Sequence, residues 1–288
     1  LWDAQAAEKG GYAHFMMKEI HEQPKALEDT LRSLLNEGQL TLEQTGLTPE
    51  LVTSIQQIFF IGCGSAYHVG VAAQYVLEDL ARVPVRVELA SEFRYRKAPM
   101  PENTLAVIVS QSGETADSLA ALRQAQEQGA KTLAIVNVVG STIAREADFV
   151  LYTLAGPEIA VATTKAYSAQ LLAVYALAIV FARDRGTIEE DQAQALIREL
   201  EALPGKMRRI LEDEERIQWF AAKQLATRDA FFIGRCLDYA ISLEGSLKMK
   251  EISYIHSEAY AAGELKHGTI SLMEPGTLVV GILTQQDL

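Results

Sequence analysis

Ile58-Phe59-Phe60-Ile61-Gly62 and, 172 positions further on, Ala230-Phe231-Phe232-Ile233-Gly234 are two short apolar runs that each end in glycine. Runs of this length and composition read as strands buried on both faces of a parallel sheet. The same offset carries Tyr67 onto Tyr239, and a long helical pattern follows each run. The chain therefore reads as two copies of one α/β unit.

Outward from the first run, Val85–Leu89 (just after Pro84), Leu105–Val109, Thr132–Val136 and Phe149–Thr153 have strand patterns, while Ala116–Gln128 and Ala166–Ala182 have helical ones. Such alternation predicts an α/β fold whose parallel sheet is covered by helices on both faces. Gly186-Thr187-Ile188-Glu189-Glu190 marks a break, and two charged helices, Glu189–Leu203 and Lys206–Ala226, lead to the second run. That run is followed by a helix over roughly Asp238–Tyr254 and by one further strand, Thr277–Leu283. A second copy as complete as the first needs roughly 70 more residues, so the second copy is expected to be truncated at the C-terminus. The expected division is a polar, partly helical lead-in over residues 1–35, a first domain over 36–187, bridging helices over 188–228 and an incomplete second domain over 229–288. The chain opens on Leu1 rather than Met, which points to a piece of a longer protein.

Composition narrows the partners. The 288 residues suit two domains at ~150 residues each, and 49% hydrophobic residues supply ordinary cores. A net charge of −12 argues against a broad nucleic-acid surface, yet leaves room for one small anion held by a local nest of N–H groups. The two cysteines, Cys63 and Cys236, form no metal-ligand pattern, and a reducing, cytoplasmic home is expected. No apolar run of ~18 residues and no leader pattern point to a membrane.

Val107-Ile108-Val109-Ser110-Gln111-Ser112-Gly113-Glu114-Thr115 carries the chemistry of the first copy. A buried strand runs into small polar residues and a glycine, and a helix then starts. Free N–H groups and the positive dipole end at a helix N-terminus favour an anion. Ser110, Ser112 and Thr115 add hydroxyls, and Gly113 allows close backbone approach. Helix capping by Ser112, with Glu114 in the first turn, accounts for part of the pattern and is compatible with ligand binding. The turn lacks the lysine of the nucleotide P-loop. Gly62-Cys63-Gly64-Ser65 ends its strand in the same way, but Tyr67 replaces the third glycine of the dinucleotide fingerprint. It reads as a second wall of a sugar-phosphate pocket.

In the second copy, Glu244, Lys248 and Glu251 are spaced to share one helical face. Spacing alone leaves two readings open, a surface ion-pair ladder or an acid–base cluster. The segment Glu258–Gly268 then adds Glu264, Lys266 and His267 among small residues, and a loop histidine is suited to proton transfer near neutral pH.

Glu244-Gly245-Ser246-Leu247-Lys248-Met249-Lys250-Glu251-Ile252-Ser253-Tyr254-Ile255-His256, continued by Glu258-Ala259-Tyr260-Ala261-Ala262-Gly263-Glu264-Leu265-Lys266-His267-Gly268, resembles the signature of the isomerase domains of glutamine-fructose-6-phosphate aminotransferases. Residues 110–115 are similar to the phosphate loop of the wider SIS (sugar isomerase) family. Glu8-Lys9-Gly10-Gly11-Tyr12 with His14-Phe15-Met16 resembles the junction with a preceding glutaminase domain. The resemblance implies tandem SIS domains and conversion of fructose 6-phosphate to glucosamine 6-phosphate with glutamine-derived ammonia, without a cofactor or metal, in a homodimer. It implies that Ser110, Gln111, Ser112 and Thr115 hold the 6-phosphate, and that Cys63, Gly64, Ser65, Val161 and Thr163 line the sugar site. It assigns Glu251 to the proton moved between C1 and C2, Lys248 to a sugar oxygen, and His267, from the partner subunit, to ring opening. Two departures stand out. Ser65-Ala66 replaces the common Thr-Ser after Cys-Gly, removing one hydroxyl, and the family's Schiff-base lysine belongs to a tail beyond Leu288. Another SIS enzyme, such as a fructosamine-6-phosphate deglycase, or a non-catalytic phosphosugar sensor are the competing readings. A sensor has no need of Glu251 with His267, and a stand-alone deglycase has no need of a domain junction.

Overall fold

A computed structural model of the chain describes residues 8–285; the first seven residues of the expected lead-in and residues 286–288 of the second copy lie outside the described residues. The chain divides into two compact units, one ending at Arg208 and the other beginning at Arg209.

In the first unit, α1 (Phe15–Leu34) leads to a small hairpin of β1 (Leu35–Asn36) and β2 (Gln39–Leu40), and then to α2 (Pro49–Ser54). The sheet segment follows as β3 (Gln57–Gly62), α3 (Ser65–Leu80), β4 (Val85–Leu89), α4 (Ala90–Phe93), β5 (Thr104–Ser110), α5 (Ala116–Glu127), β6 (Lys131–Val136), α6 (Thr142–Glu146), β7 (Phe149–Tyr152) and α7 (Lys165–Asp184). The strands are parallel, in the order β4-β3-β5-β6-β7. Side chains alternate between the faces, as the pleat requires. Ile58, Phe60, Leu105, Val107, Val109, Leu133 and Ile135 enter one core with α1, α3 and α7. Phe59, Ile61, Ala106, Ile108, Ala134 and Val136 enter the other with α4, α5 and α6. Each fully buried Phe of the founding run contributes about 1.5–3 kcal/mol.

α7 is long and apolar enough to cross a membrane, but 78% of that stretch is buried inside the first unit, where it serves as a core helix. The helix α8 (Glu190–Leu211) carries the chain across the unit boundary. Sequence patterning placed a break near Pro204-Gly205; the helix instead runs through both. Ala193, Ile197 and Leu200 are buried in the first core and Leu203 and Met207 pack against it, so one continuous apolar stripe outweighs the lost proline N–H.

The second unit contains α9 (Glu214–Ala222), β8 (Asp229–Gly234), α10 (Leu237–Ser253), β9 (His256–Ala261) and β10 (Leu278–Gly281). Its parallel sheet has the order β10-β8-β9, which repeats β5-β3-β4 of the first unit. The repeat extends to backbone detail. A Cβ on Gly62 would stand 2.9 Å from the Ala66 carbonyl carbon, and one on Gly234 would stand 2.5 Å from that of Asp238. Both glycines let a strand pass close beneath the following helix. Gly64 (φ 57, ψ −127) and Cys236 (φ 48, ψ −119) then share one unusual conformation at the two helix starts. The strand β9 was not anticipated, because Ser257-Glu258-Ala259-Tyr260-Ala261 has no β-branched residue and only one aromatic.

Candidate functional site

The direction of the first sheet's connections changes between β3 and β5: the chain passes from β3 outward to β4, then returns to β5 on the other side. Open α/β sheets bind ligands at the carboxyl ends of the strands at such a switch point. The segments found there are Cys63-Gly64-Ser65, after β3, and Ser110–Thr115, after β5. Cys63 is partly buried against the second core, and Ala66 sits in the first turn of α3.

The turn after β5 is rigid. Ser110, buried at the strand end, accepts a hydrogen bond from the Gly113 N–H (3.0 Å), and its hydroxyl lies 3.2 Å from that of Thr115. The Ser112 hydroxyl accepts from the Glu114 N–H at 3.2 Å. Gly113 has φ +66, and its carbonyl accepts from the Ile143 N–H at the start of α6 (3.0 Å). The Glu114 carboxylate accepts from the Thr142 N–H (2.7 Å), and that bond holds its pKa below the ordinary carboxylate value. These bonds fix the turn while the first amides of α5 remain without intrahelical partners.

Asn137, a residue the sequence reading missed, ties this turn to a second loop. It is 3% exposed at the end of β6. Its N–H donates to the Gln111 carbonyl (3.1 Å). Its side chain donates to the Gly156 carbonyl (2.7 Å) and accepts from the Ala155 N–H (2.8 Å). A polar residue directly after an apolar strand was the available signal. The loop then runs to Thr164, with Val161 wholly exposed and Thr163 bonded to the Glu158 carboxylate (2.6 Å). The first unit thus brings Cys63, Gly64, Ser65, Ser110, Gln111, Ser112, Thr115, Val161 and Thr163 onto loops at the carboxyl ends of its strands and the start of α7.

In the second unit, α10 carries the charged face. Lys248 Nζ lies 3.3 Å from Glu244 Oε1 and in close contact with Glu251 Oε2. The ladder read from spacing therefore forms, and it runs from the interior to the surface: Glu244 is only 5% exposed and the Lys248 nitrogen is enclosed, whereas Glu251 is exposed. Two carboxylates thus flank one enclosed ammonium, a buried charge that is costly unless paired. His267 stands exposed on the turn after β9, its N–H bonded to the Glu264 carbonyl (2.9 Å).

The second copy also has a turn matching residues 110–115 of the first. Ile61 pairs with Ile108 in one sheet and Ile233 with Gly281 in the other, so Thr284 and Gln285 correspond to Gln111 and Ser112. Here the chain supplies its own anion. Asp238, at the position of Ala66, accepts from the Thr284 N–H (2.9 Å) and the Thr284 hydroxyl. Burial raises the Asp238 pKa, but the bonds from Thr284 and Gln285 outweigh it and hold the carboxyl below its ordinary value.

The SIS domain family model matches residues 51–180 and 226–287. The chain belongs to the SIS domain family. Among SIS relatives, the glutamine-fructose-6-phosphate aminotransferase [isomerizing] of Caldanaerobacter subterraneus subsp. tengcongensis is 55% identical over all 288 residues, a match to 47% of that protein. The corresponding protein of Clostridium tetani is 54% identical, also over 47% of its length. The chain thus spans about half the length of these curated relatives. The C-terminal domain of glucosamine-fructose-6-phosphate aminotransferase from Francisella tularensis superposes with a TM-score of 0.95 at 38% identity, covering 98% of this chain and 79% of that one. A glucosamine-6-phosphate deaminase from Thermotoga maritima superposes with a TM-score of 0.73 at 26% identity, covering 95% of this SIS chain and 78% of its own.

Proposed function

We propose that the chain is the isomerase portion of an enzyme that makes glucosamine 6-phosphate from fructose 6-phosphate and ammonia released from glutamine by a glutaminase domain of the same protein. The carrying observation is the Glu244-Lys248-Glu251 cluster around one enclosed ammonium, in a chain whose other unit places the Ser110–Thr115 turn at a sheet switch point. Moving a carbonyl from C2 to C1 takes one group to shift a proton between the carbons and another to manage protons on oxygen. Glu251 does the first and Lys248 the second. Ser110, Gln111, Ser112 and Thr115 hold the 6-phosphate, whose binding energy orients the reacting carbons. Cys63, Gly64, Ser65, Val161 and Thr163 line the sugar.

The binding half of this reading is tested by calorimetry. Fructose 6-phosphate binds and unphosphorylated fructose shows no comparable affinity. Ser112→Ala weakens the phosphate sugar by about tenfold, as expected for losing one hydrogen bond to a charged group. Equal affinity for the two sugars overturns the assignment of the turn.

The proposal includes a homodimer in which the partner's His267 opens the sugar ring. The exposed position of His267 on its turn supports this. Light scattering of the natural protein is expected to give twice the chain mass; a monomer at every concentration counts against a shared site.

A further inference from the structure

We infer that Glu19, on α1, is a positioning residue for the sugar-binding loop. This rests on the reading of Val161 and Thr163 as sugar contacts. Residues 155–164 belong to no strand or helix, so their shape has to come from elsewhere. The beginning is held by Asn137 through Ala155 and Gly156. The end is held by Glu158, whose carboxylate accepts from the Thr164 N–H at 2.8 Å and the Ala166 N–H at 3.3 Å, capping α7. The middle, immediately before Val161, is held from 140 residues away. The Glu19 carboxylate accepts from the Ile159 N–H (2.5 Å) and from the Ala160 N–H (3.1 Å).

Glu19 is 2% exposed. A buried carboxylate is costly unless its oxygens are satisfied, and two backbone amides of one loop satisfy this one. The loop and the carboxylate therefore hold each other. The next turn of α1 reinforces the placement. Glu22 pairs with Lys165 at 2.6 Å, and Gln23 bonds Ser168 at 2.6 Å, both in the first turn of α7. Glu19, Glu22 and Gln23 lie on one helical face and together fix the loop and the helix it enters. Without the bonds to Ile159 and Ala160, the wholly exposed Val161 has no fixed neighbour on its amino-terminal side, and the bound geometry has to be selected from many.

The effect falls on substrate affinity rather than on chemistry, because Glu251 and Lys248 belong to another element. In the natural protein, Glu19→Ala is expected to raise KM for fructose 6-phosphate about tenfold with kcat within about threefold of normal. Glu19→Gln keeps an acceptor oxygen for both amides and restores most of the affinity. Lys25→Ala, an exposed ion-pair residue on the same helix, leaves KM unchanged. Amide exchange at Ile159 and Ala160 is expected to quicken in Glu19→Ala, and circular dichroism monitors its folding. Should Glu19→Ala not fold, Glu19→Ser supplies the shorter side chain, and normal KM and normal exchange there overturn the inference. Calorimetry separates the two failures. If the unmodified protein does not bind fructose 6-phosphate, the reading of the site is wrong. If it binds, Ser112→Ala weakens it and neither Glu19→Ala nor Glu19→Ser does, the positioning role alone is wrong. A fall in kcat equal to the loss in kcat/KM also overturns the inference, because it places Glu19 in the chemical step.

Discussion

Glu251→Gln is expected to lower turnover by about 10²-fold or more while substrate affinity stays within about threefold. The substitution keeps the size and hydrogen-bonding capacity of the side chain and removes only its negative charge and basicity. Its surroundings make the test clean. Lys248 Nζ sits between two carboxylates, 3.3 Å from that of Glu244, so the ammonium retains a buried counter-charge when Glu251 is neutralised. The helix therefore keeps its internal pairing, and the melting temperature is expected to shift little. Glu244→Gln is the contrasting variant. It removes the more deeply buried partner, so its first effect falls on stability. The measurement is steady-state product formation from fructose 6-phosphate and glutamine by the natural protein, with binding measured separately. Turnover within about threefold of normal in Glu251→Gln returns the cluster to a purely structural ion-pair role.

What the sequence disclosed was local, and what it withheld was long-range. The apolar runs at residues 58–62 and 230–234 are buried strands because continuous hydrophobicity suits a strand covered by helices, on both faces in the first unit and by α10 in the second. Residues 110–115 form a strand-to-helix turn because small polar residues and a glycine neither continue a buried strand nor fill a helix. Glu244, Lys248 and Glu251 meet because helical periodicity guarantees it. By contrast, Asn137 joins two loops through atoms 18 and 19 residues away, and Glu19 reaches 140 residues forward. No local period encodes such contacts. Asp238 shows the same limit differently. From spacing it is an acidic residue in a helix's first turn, and only the strand register reveals that it closes the second copy's equivalent of the 110–115 turn. The helix α8 and the strand β9 mark where propensity misleads, since buried neighbours carry one through a Pro-Gly pair and ladder bonds to β8 hold the other.

Gly113→Ala is expected to weaken fructose 6-phosphate binding by about 10²-fold. Two costs combine there. The residue has φ +66, a conformation that L-residues adopt at about 1–2 kcal/mol. An added Cβ also lands 2.0 Å from Ser141 Oγ and 2.5 Å from Ser141 Cβ, an overlap that no rotamer change of Ser141 relieves because its own Cβ is involved. Ser141 cannot readily retreat, since it is buried at the start of α6 and its N–H is bonded to the Val138 carbonyl. The turn must therefore move away from α6, breaking the bond from the Ile143 N–H to the Gly113 carbonyl and turning the hydroxyls of Ser110 and Ser112 out of place. Gly140 separates the two costs. It has φ +73 but no atom within 4 Å of where a Cβ would stand, so Gly140→Ala carries backbone strain alone and binding is expected to change by less than about threefold. Pairing Gly113→Ala with Ser141→Gly removes the obstructing side chain and is expected to recover about tenfold in affinity. Calorimetry on the three variants decides the matter: if Gly113→Ala binds as tightly as the unmodified protein, the close packing of this turn against α6 does not hold the phosphate site in shape.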